Sequence, residues 1–141
     1  MKLDKPLLAI AVGYIALIPA EIFTQIMKYY KFTSVSAFEA MSMLWTPEGS
    51  FLLGILAALG IASWGILIIY YSAKIWGTDY FPLKSMFLVM TIESLIFSIF
   101  GVLNKNPDLV QNISGNYVHA FGAAIGGLCV GLLLKRYVFP K

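Results

Sequence analysis

The chain has 141 residues, of which 60% are hydrophobic and 12% are charged, and its formal net charge at pH 7 is +3. A soluble domain is roughly half apolar and about one quarter charged, so this composition leaves too little polar surface for a water-soluble globule. The basic residues are too few and too scattered for nucleic-acid binding, and we expect them to contact anionic lipid. The single cysteine, Cys129, excludes an internal disulfide.

Four apolar segments, each near the ~20 residues that cross a hydrocarbon core of ~30 Å, predict an all-α, polytopic membrane protein with four transmembrane helices in a bundle. The first segment covers residues 6–27. Pro19 lies inside it and predicts a kink, because proline cannot donate a hydrogen bond to the preceding turn. The apolar run continues past the poor cleavage site near Ala20, so we predict a retained helix instead of a signal peptide.

The remaining three segments follow in chain order at residues 47–71, 82–103 and 116–134. Thr46-Pro47-Glu48 is typical of an N-cap residue, a proline at the first helical position and an acidic first turn. The four spans together predict a single four-helix transmembrane domain over residues 1–141.

The two connections on one side of the membrane predict short surface helices. Ser36 and Glu39 match a capping box, in which each side chain satisfies the backbone N–H of the other residue. Apolar residues that follow fall on one side of this helix, as in a helix that lies at the membrane surface: Phe38, Met41, Leu44 and Trp45. In the second connection, Asn106-Pro107-Asp108 starts a turn or short helix that runs through Gln111.

The distribution of basic residues predicts the orientation. Both termini and the connection between the second and third spans share one side, which carries seven of the ten basic residues. The opposite side carries Lys28, Lys31 and Lys105. Because cytoplasmic segments are enriched in Lys and Arg, we predict a multi-pass protein of the cell membrane with both termini in the cytoplasm.

Three ionisable residues lie within the predicted spans: Glu21, Glu93 and His119. Such groups are costly at bilayer depth and need a partner or a wet cavity. A helical rise of about 1.5 Å per residue places Glu93 near the midplane, Glu21 roughly 6 Å toward the outer side and His119 roughly 10 Å toward it. We therefore predict a candidate intramembrane polar site at which the three side chains line one pocket.

Three interpretations of these ionisable residues remain open. They can be internal polar contacts in which a protonated carboxyl donates a hydrogen bond. They can form a proton- or cation-sensitive site, or they can belong to an active site.

Glycines in the last span predict close helix packing. His119, Gly122 and Gly126 share one stripe, and Gly127 and Gly131 form a second pair beside it. Such small residues let helix backbones approach closely. The stripes therefore predict either tight packing within the bundle or a contact in a homo-oligomer.

No pattern in the chain predicts catalytic, metal or cofactor chemistry. The chain has no Gly-rich phosphate loop, serine elbow or Cys-x-x-Cys pair. Two carboxylates and one histidine without a local spacing motif are a weak signal for a metal. We therefore predict no catalytic residue, no metal site and no bound cofactor.

The last span carries a resemblance to a known family. The stretch 117–134, with His119 followed by glycines at 122, 126, 127 and 131, resembles the last helix of the small bacterial YqhR-type conserved membrane proteins. Trp-Thr-Pro at 45–47 and a lysine near the start of the third span fit the same plan, over about half of the chain. The resemblance implies a four-span fold and no particular reaction, so no catalytic residue is carried over.

Two classes of function lead the expectations from the sequence. The first is a non-enzymatic integral membrane protein, a small scaffold or accessory subunit that acts through helix–helix contacts. The alternative is a small oligomeric transporter or channel with a proton or cation path along Glu21, Glu93 and His119. A membrane-embedded enzyme that acts on lipid is third. The expected partners are the lipid bilayer and either a homo-oligomer or a larger membrane complex, without nucleic acid.

Overall fold

The computed structural model describes residues 4–104 and 111–140, and this part of the chain is helical with no strands. Six helices follow in chain order: α1 (Lys5–Ile15), α2 (Ile18–Tyr29), α3 (Ala37–Ser42), α4 (Phe51–Trp76), α5 (Phe81–Asn104) and α6 (Ile113–Tyr137). Four stretches are long and apolar enough to cross a membrane, namely α1 with α2, α4, α5 and α6. The predicted all-α bundle of four transmembrane helices is confirmed.

The first span is interrupted where its proline requires a break. α1 ends at Ile15 and α2 begins at Ile18, with Pro19 in the first turn of α2. Proline has no N–H to donate to the carbonyl four residues earlier. Leu17 instead donates to the carbonyl of Tyr14 at 3.1 Å, which tightens the last turn of α1. The predicted kink is therefore a short break between two helices.

The second span begins later than the sequence predicts. The predicted start at Thr46-Pro47-Glu48 is wrong, because the Thr46 hydroxyl donates to the Glu48 carbonyl at 2.9 Å and so closes a turn. Ser50 is the N-cap of α4, and its side chain accepts from the N–H of Leu53. α4 also extends beyond the predicted residue 71 to Trp76, whose carbonyl accepts from Lys84 Nζ at 2.7 Å.

α6 is longer at both ends than the predicted 116–134. Asn112 is its N-cap and accepts from the N–H of Gly115 at 2.7 Å. At the other end, Val138 still donates to the Leu134 carbonyl. The turn predicted at Asn106-Pro107-Asp108 lies outside the described residues.

The bundle has two ends with different contents. We call the end that holds residues 30–50 and the start of α6 the long-loop end, and the end that holds the 77–80 turn and the end of α6 the terminal end. The core is fullest at the terminal end, where the rings of Tyr70 and Phe139 stack at 5.3 Å and Phe81 meets Phe139 edge-on at 5.7 Å. This apolar cluster closes that end of the bundle.

The short helix α3 is the one predicted from the capping box, and both halves of the box are present. The apolar side chains that were predicted to share one side of this helix and the residues after it divide between two environments. Phe38 is buried and its ring stacks between Tyr14 and Phe51, each at 6.2 Å, whereas Trp45 is exposed. A Cβ added at Gly54 would overlap the Phe38 carbonyl oxygen, so α3 rests directly on the backbone of α4.

The two glycine stripes of α6 face different neighbours. A Cβ at Gly126 would lie 3.3 Å from the Ala20 Cβ, on the α2 side. A Cβ at Gly127 would lie 2.6 Å from Met86 Cα, and one at Gly131 would lie 2.5 Å from Pro82 Cα, both in the backbone of α5. α6 therefore lies between the first span and α5 and touches α5 more closely.

α5 is the least embedded of the four spans. It packs along α6, meets α4 at few points, and has the smallest buried share of any span in the described part of the chain. Its position consequently depends on the glycines of α6.

Candidate functional site

Glu21 is fully engaged in hydrogen bonds that hold α3. It lies in the first turn of α2 and is 6% exposed. Its carboxylate accepts from the backbone N–H of Phe38 at 2.8 Å and from Gln25 Nε2 at 2.8 Å, and Thr24 Oγ1 lies 3.5 Å away. A carboxylate at a helix N-terminus satisfies free N–H donors and favours the positive end of the helix dipole. Glu21 is therefore part of the cap of α3.

The other donors at the start of α3 are also satisfied. The N–H of Ala37 donates to Thr24 Oγ1 at 3.0 Å, and the N–H of Glu39 donates to Ser36 Oγ at 3.3 Å. Glu39 in turn accepts from Lys28 Nζ at 2.6 Å, which joins α3 to the end of α2. Burial raises the pKa of Glu39, but hydrogen bonds from Lys28 and Ser36 and the charge of Lys28 outweigh it, so the pKa lies below its ordinary value.

Glu93 and His119 face each other across the contact between α5 and α6. Glu93 lies halfway along α5, and its Oε1 atom is 3.8 Å from Nδ1 of His119. The His119 side chain is 6% exposed and that of Glu93 is 16% exposed. Nδ1 is buried and has no hydrogen-bond partner, a condition it shares only with Ser85 Oγ among the buried side-chain atoms of the described residues.

The second nitrogen of His119 shows how the ring is held. Nε2 lies 3.3 Å from Thr33 Oγ1, while that hydroxyl is 2.9 Å from the Val35 carbonyl and 3.0 Å from Gln111 Oε1. A hydroxyl has one proton to donate, and carbonyl oxygens can only accept it. The surroundings of the Thr33 hydroxyl therefore favour the tautomer in which it accepts from Nε2–H. Phe97 packs on the ring at a centroid distance of 5.4 Å.

In this tautomer, the gap between Nδ1 of His119 and Oε1 of Glu93 favours a positive charge. When Nε2 carries the proton of a neutral imidazole, Nδ1 has only a lone pair. An ionised Glu93 carboxylate opposite it also has only lone pairs. Two acceptors 3.8 Å apart in apolar surroundings are unfavourable unless a proton or another cation lies with them. The pair is thus suited to holding one positive charge at a time.

All three predicted site residues line one cavity. It has a volume of about 110 Å³, is only partly enclosed, and lies between α2, α4, α5 and α6. Glu21, Glu93 and His119 lie in its wall. Most of the wall is apolar, and it includes Ile61, Ala62, Ile66, Val89, Ile92 and Ile96. We call this space the apolar cavity.

A second cavity, of about 250 Å³, adjoins the same pair on its other side. Polar residues of α5, α6 and the preceding connection line it, namely Ser94, Ser98, Gln111 and Asn116, together with Glu93 and His119. Ser98, Gln111 and Asn116 place this cavity, which we call the polar cavity, on the long-loop side of the pair. Its exposed serines Ser94 and Ser98 lie where the cavity meets the outer face of α5. Glu93 and His119 thus separate a polar cavity from an apolar one.

The opposite direction is closed by packed side chains. Phe81, Ile69 and Leu134 are each at most 1% exposed and fill the bundle on the terminal side of the cavities. The side of the pair that faces the terminal end is therefore filled by packed side chains.

Parts of this site could not be found from the sequence patterns. Thr33 and Gln111 lie in connections, where there is no helical period to place them beside His119. The Lys28–Glu39 pair joins residues from two different elements. A useful signal would have been the polar character of α5 itself, where Ser94 and Ser98 lie one turn apart and follow Glu93.

Metal binding finds little support in this geometry. The described residues contain no group of three His, Cys, Asp or Glu side chains that could hold a metal ion. Glu21 lines the same cavity, but its oxygens are already used by the start of α3.

Comparison with known proteins adds no further assignment. No family model matches the chain, and no curated protein or solved structure shows significant similarity to it. The resemblance to YqhR-type proteins therefore stays a prediction from the sequence.

Proposed function

We propose that this chain is a non-enzymatic membrane protein that binds and passes on a proton or a small cation at Glu93 and His119. This is the transport function that the sequence ranks second. The observation that supports it is the unpartnered Nδ1 of His119, which faces a Glu93 oxygen at 3.8 Å beside a polar cavity. Intramembrane ionisable residues that face a cavity in the bundle interior are typical of ion and proton pathways.

The closed terminal side is consistent with a transporter more than with an open channel. A site with a cavity on its long-loop side and packed side chains on its terminal side fits one of the two states of an alternating-access cycle. The contact between α4 and α5 is small compared with the close packing of α5 along α6. On this proposal, movement of α5 opens the pair toward the terminal end.

The test is a flux measurement in proteoliposomes loaded with a pH-sensitive dye, with a potassium diffusion potential as the driving force. We expect wild-type protein to pass protons or a cation coupled to protons, and Glu93→Gln to abolish this flux while the protein stays folded. Glu48→Gln is the matched control, because Glu48 is an exposed carboxyl outside the helices. Equal flux in wild type and Glu93→Gln would contradict the proposal.

The orientation forms part of the same proposal. With seven of ten basic residues on the side of the termini, we propose that the terminal end faces the cytoplasm of the cell membrane and the long-loop end faces outward. Single cysteines placed near Lys5 and Pro140, in a Cys129→Ala background, test it. Labelling of either position by an impermeant thiol reagent applied from outside would reverse the assignment.

We also propose an accessory role as the second candidate, because the outer face of α5 is uncovered. Thr91, Ser94 and Ser98 are exposed on one stripe of α5 at spacings of three and four residues. Small hydroxyl residues on a transmembrane helix permit close approach of another helix. Mild-detergent purification with mass analysis distinguishes the two candidates, since a stoichiometric foreign chain supports the accessory role and a homo-oligomer alone supports transport.

A further inference from the structure

We propose that the cation held at Glu93 and His119 is a small lipophilic ammonium ion, whose apolar part occupies the apolar cavity while its charged nitrogen lies between the two side chains. This inference rests on the proposed function and names the class of ligand for the same site. It follows from three properties of the cavity, which are its charge, its wall and its size.

The charge of the cavity favours a cation. Its ionisable lining residues are Glu21 from α2, Glu93 from α5 and His119 from α6, with none from α3 or α4 and no lysine or arginine. The oxygens of Glu21 already accept from Phe38 N–H and Gln25. Glu93 is therefore the carboxylate that remains available, and among the described residues its polar contact is the 3.8 Å approach to His119.

The apolar wall favours an organic cation over a metal ion. Calcium takes six to eight oxygen ligands, and magnesium requires near-octahedral coordination by oxygen. Beside Glu93, the wall offers isoleucine, valine and alanine side chains, which cannot replace the water that a metal ion would lose. An ammonium group instead donates to a Glu93 oxygen and to the unpartnered Nδ1 of His119, and its hydrocarbon part packs against Ile92 and Ile96.

The size of the cavity limits the apolar part of the ligand. Its volume of about 110 Å³ is of the same order as an engineered apolar cavity of ~150 Å³ that binds benzene. Because the cavity is only partly enclosed, an aromatic ring or a short alkyl chain fits with its end near the opening. The polar cavity on the long-loop side of the pair offers the charged nitrogen a second space, lined by Ser94, Ser98, Gln111 and Asn116.

Binding of this ligand is coupled to release of a proton. The gap between Nδ1 and Oε1 holds either the proton or the ammonium nitrogen, since both need the same two lone pairs. We therefore expect about one proton to leave for each ammonium ion that binds, as for any ligand whose site must lose its proton.

The experiment uses the full chain in lipid nanodiscs and isothermal titration with benzylammonium, with empty nanodiscs as the blank. Benzyl alcohol is the control ligand, because it has the same ring without the charge. We expect saturable binding of benzylammonium that is about tenfold or more tighter than that of benzyl alcohol, as for a contact to a charged group. Titrations in buffers with different ionisation enthalpies count the protons released.

Variants separate the contribution of the charge from that of the cavity. Glu93→Gln should lose benzylammonium binding by about tenfold or more and keep the weak binding of benzyl alcohol, whereas Glu48→Gln should bind as wild type does. Ala62→Leu and Ile96→Phe narrow the cavity from two different helices and should weaken both ligands. Wild-type affinity for benzylammonium in Glu93→Gln, equal affinity for the two ligands in wild type, or displacement by equimolar sodium would overturn the inference.

Infrared spectroscopy separates failure of this inference from failure of the proposed function. A protonated carboxyl signal that titrates in wild type and is missing in Glu93→Gln, without benzylammonium binding, means that the ligand class is wrong and the proton site stands. Absence of this titrating signal in wild type means that the proposed function is wrong as well.

Discussion

Glu21 and Glu93 are the same type of side chain and line the same cavity, and they have opposite surroundings. Glu21 accepts hydrogen bonds from Phe38 N–H and Gln25, each at 2.8 Å, and completes the cap of α3. Glu93 has a histidine nitrogen 3.8 Å away and faces two cavities. The comparison shows that a buried carboxyl becomes a structural element when donors converge on it, and a binding group when they do not.

The largest expected difference between the two carboxyls is in stability. Glu21→Leu leaves the buried N–H of Phe38 and the half-buried amide of Gln25 without their acceptor. We therefore expect a loss of about 2–4 kcal/mol in the free energy of unfolding. Glu93→Leu should lower the free energy of unfolding by less than half as much as Glu21→Leu does. Unfolding by SDS in mixed micelles, followed by tryptophan fluorescence, measures both variants. Equal destabilisation would show that Glu93 also has a structural role.

The glycine faces of α6 allow each carboxyl site to be disturbed separately. Gly127→Ala should cost about 1–3 kcal/mol, because its Cβ would lie 2.6 Å from the backbone of α5 and must displace that helix. Gly126→Ala should cost less, since its nearest neighbour at 3.3 Å is the Ala20 side chain. Gly126→Leu should still destabilise clearly, because a branched side chain forces α2 away from α6.

The control on the same helix is Cys129→Ala, which removes a half-buried thiol and should have a small effect by comparison. Melting curves of the detergent-solubilised variants rank their stabilities. Flux measurements on Gly127→Ala and Gly126→Ala then test the Glu93 site apart from the Glu21 site. Only Gly127→Ala should move Glu93 relative to His119 and so change the flux. If Gly126→Leu melts like wild type, that glycine face does not pack in the way described.

Glu93→Gln should change stability by no more than about 1 kcal/mol, because the amide keeps the shape of the carboxyl and can donate to Nδ1 of His119. The same change removes the proton-binding group, so pH-dependent flux should vanish. SDS unfolding and proteoliposome flux on one preparation test both statements. Substantial unfolding of Glu93→Gln would show that Glu93, like Glu21, is required for the stability of the fold.

The smallest expected effect is a pH dependence of stability that comes from the ion pair between Lys28 and Glu39, which joins α3 to the end of α2. Lys28 and Ser36 lower the pKa of Glu39 in the folded protein, so its contribution to stability is complete above the unfolded pKa. This contribution is lost as the pH falls through the folded pKa. Unfolding midpoints between neutral and acidic pH should fall more for wild type than for Glu39→Gln. A Glu48→Gln variant should follow wild type.

The membrane fold was predictable from the sequence because hydropathy and length are local properties. The four spans, the interruption at Pro19 and the capping box at Ser36 each depend on residues within one or two helical turns. The start of the second span was not predictable in the same way. Thr46 resembles an N-cap, but its hydroxyl turns to Glu48, and Ser50 takes the capping role.

The candidate site was predictable only as a set of residues that need partners. Depth placed Glu21, Glu93 and His119 near one another, and all three line the apolar cavity. Their separate roles depend on partners that no helical period assigns, such as the Phe38 N–H from α3 and the Thr33 hydroxyl from a connection. A residue's surroundings in the fold therefore decide whether it is structural or available to bind.

The dependence of α5 on α6 has a consequence for how the protein is made. Synthesis proceeds from the N-terminus, so α5 enters the membrane before the helix on whose glycines it packs. During that interval Glu93 lacks His119 and lies in a helix with few neighbours. An intramembrane carboxyl without a partner is costly as an anion, so a neutral, protonated Glu93 is favoured during this interval. The arrival of α6 brings His119 beside this carboxyl and packs its glycines against α5, so the pair forms only in the last step of insertion.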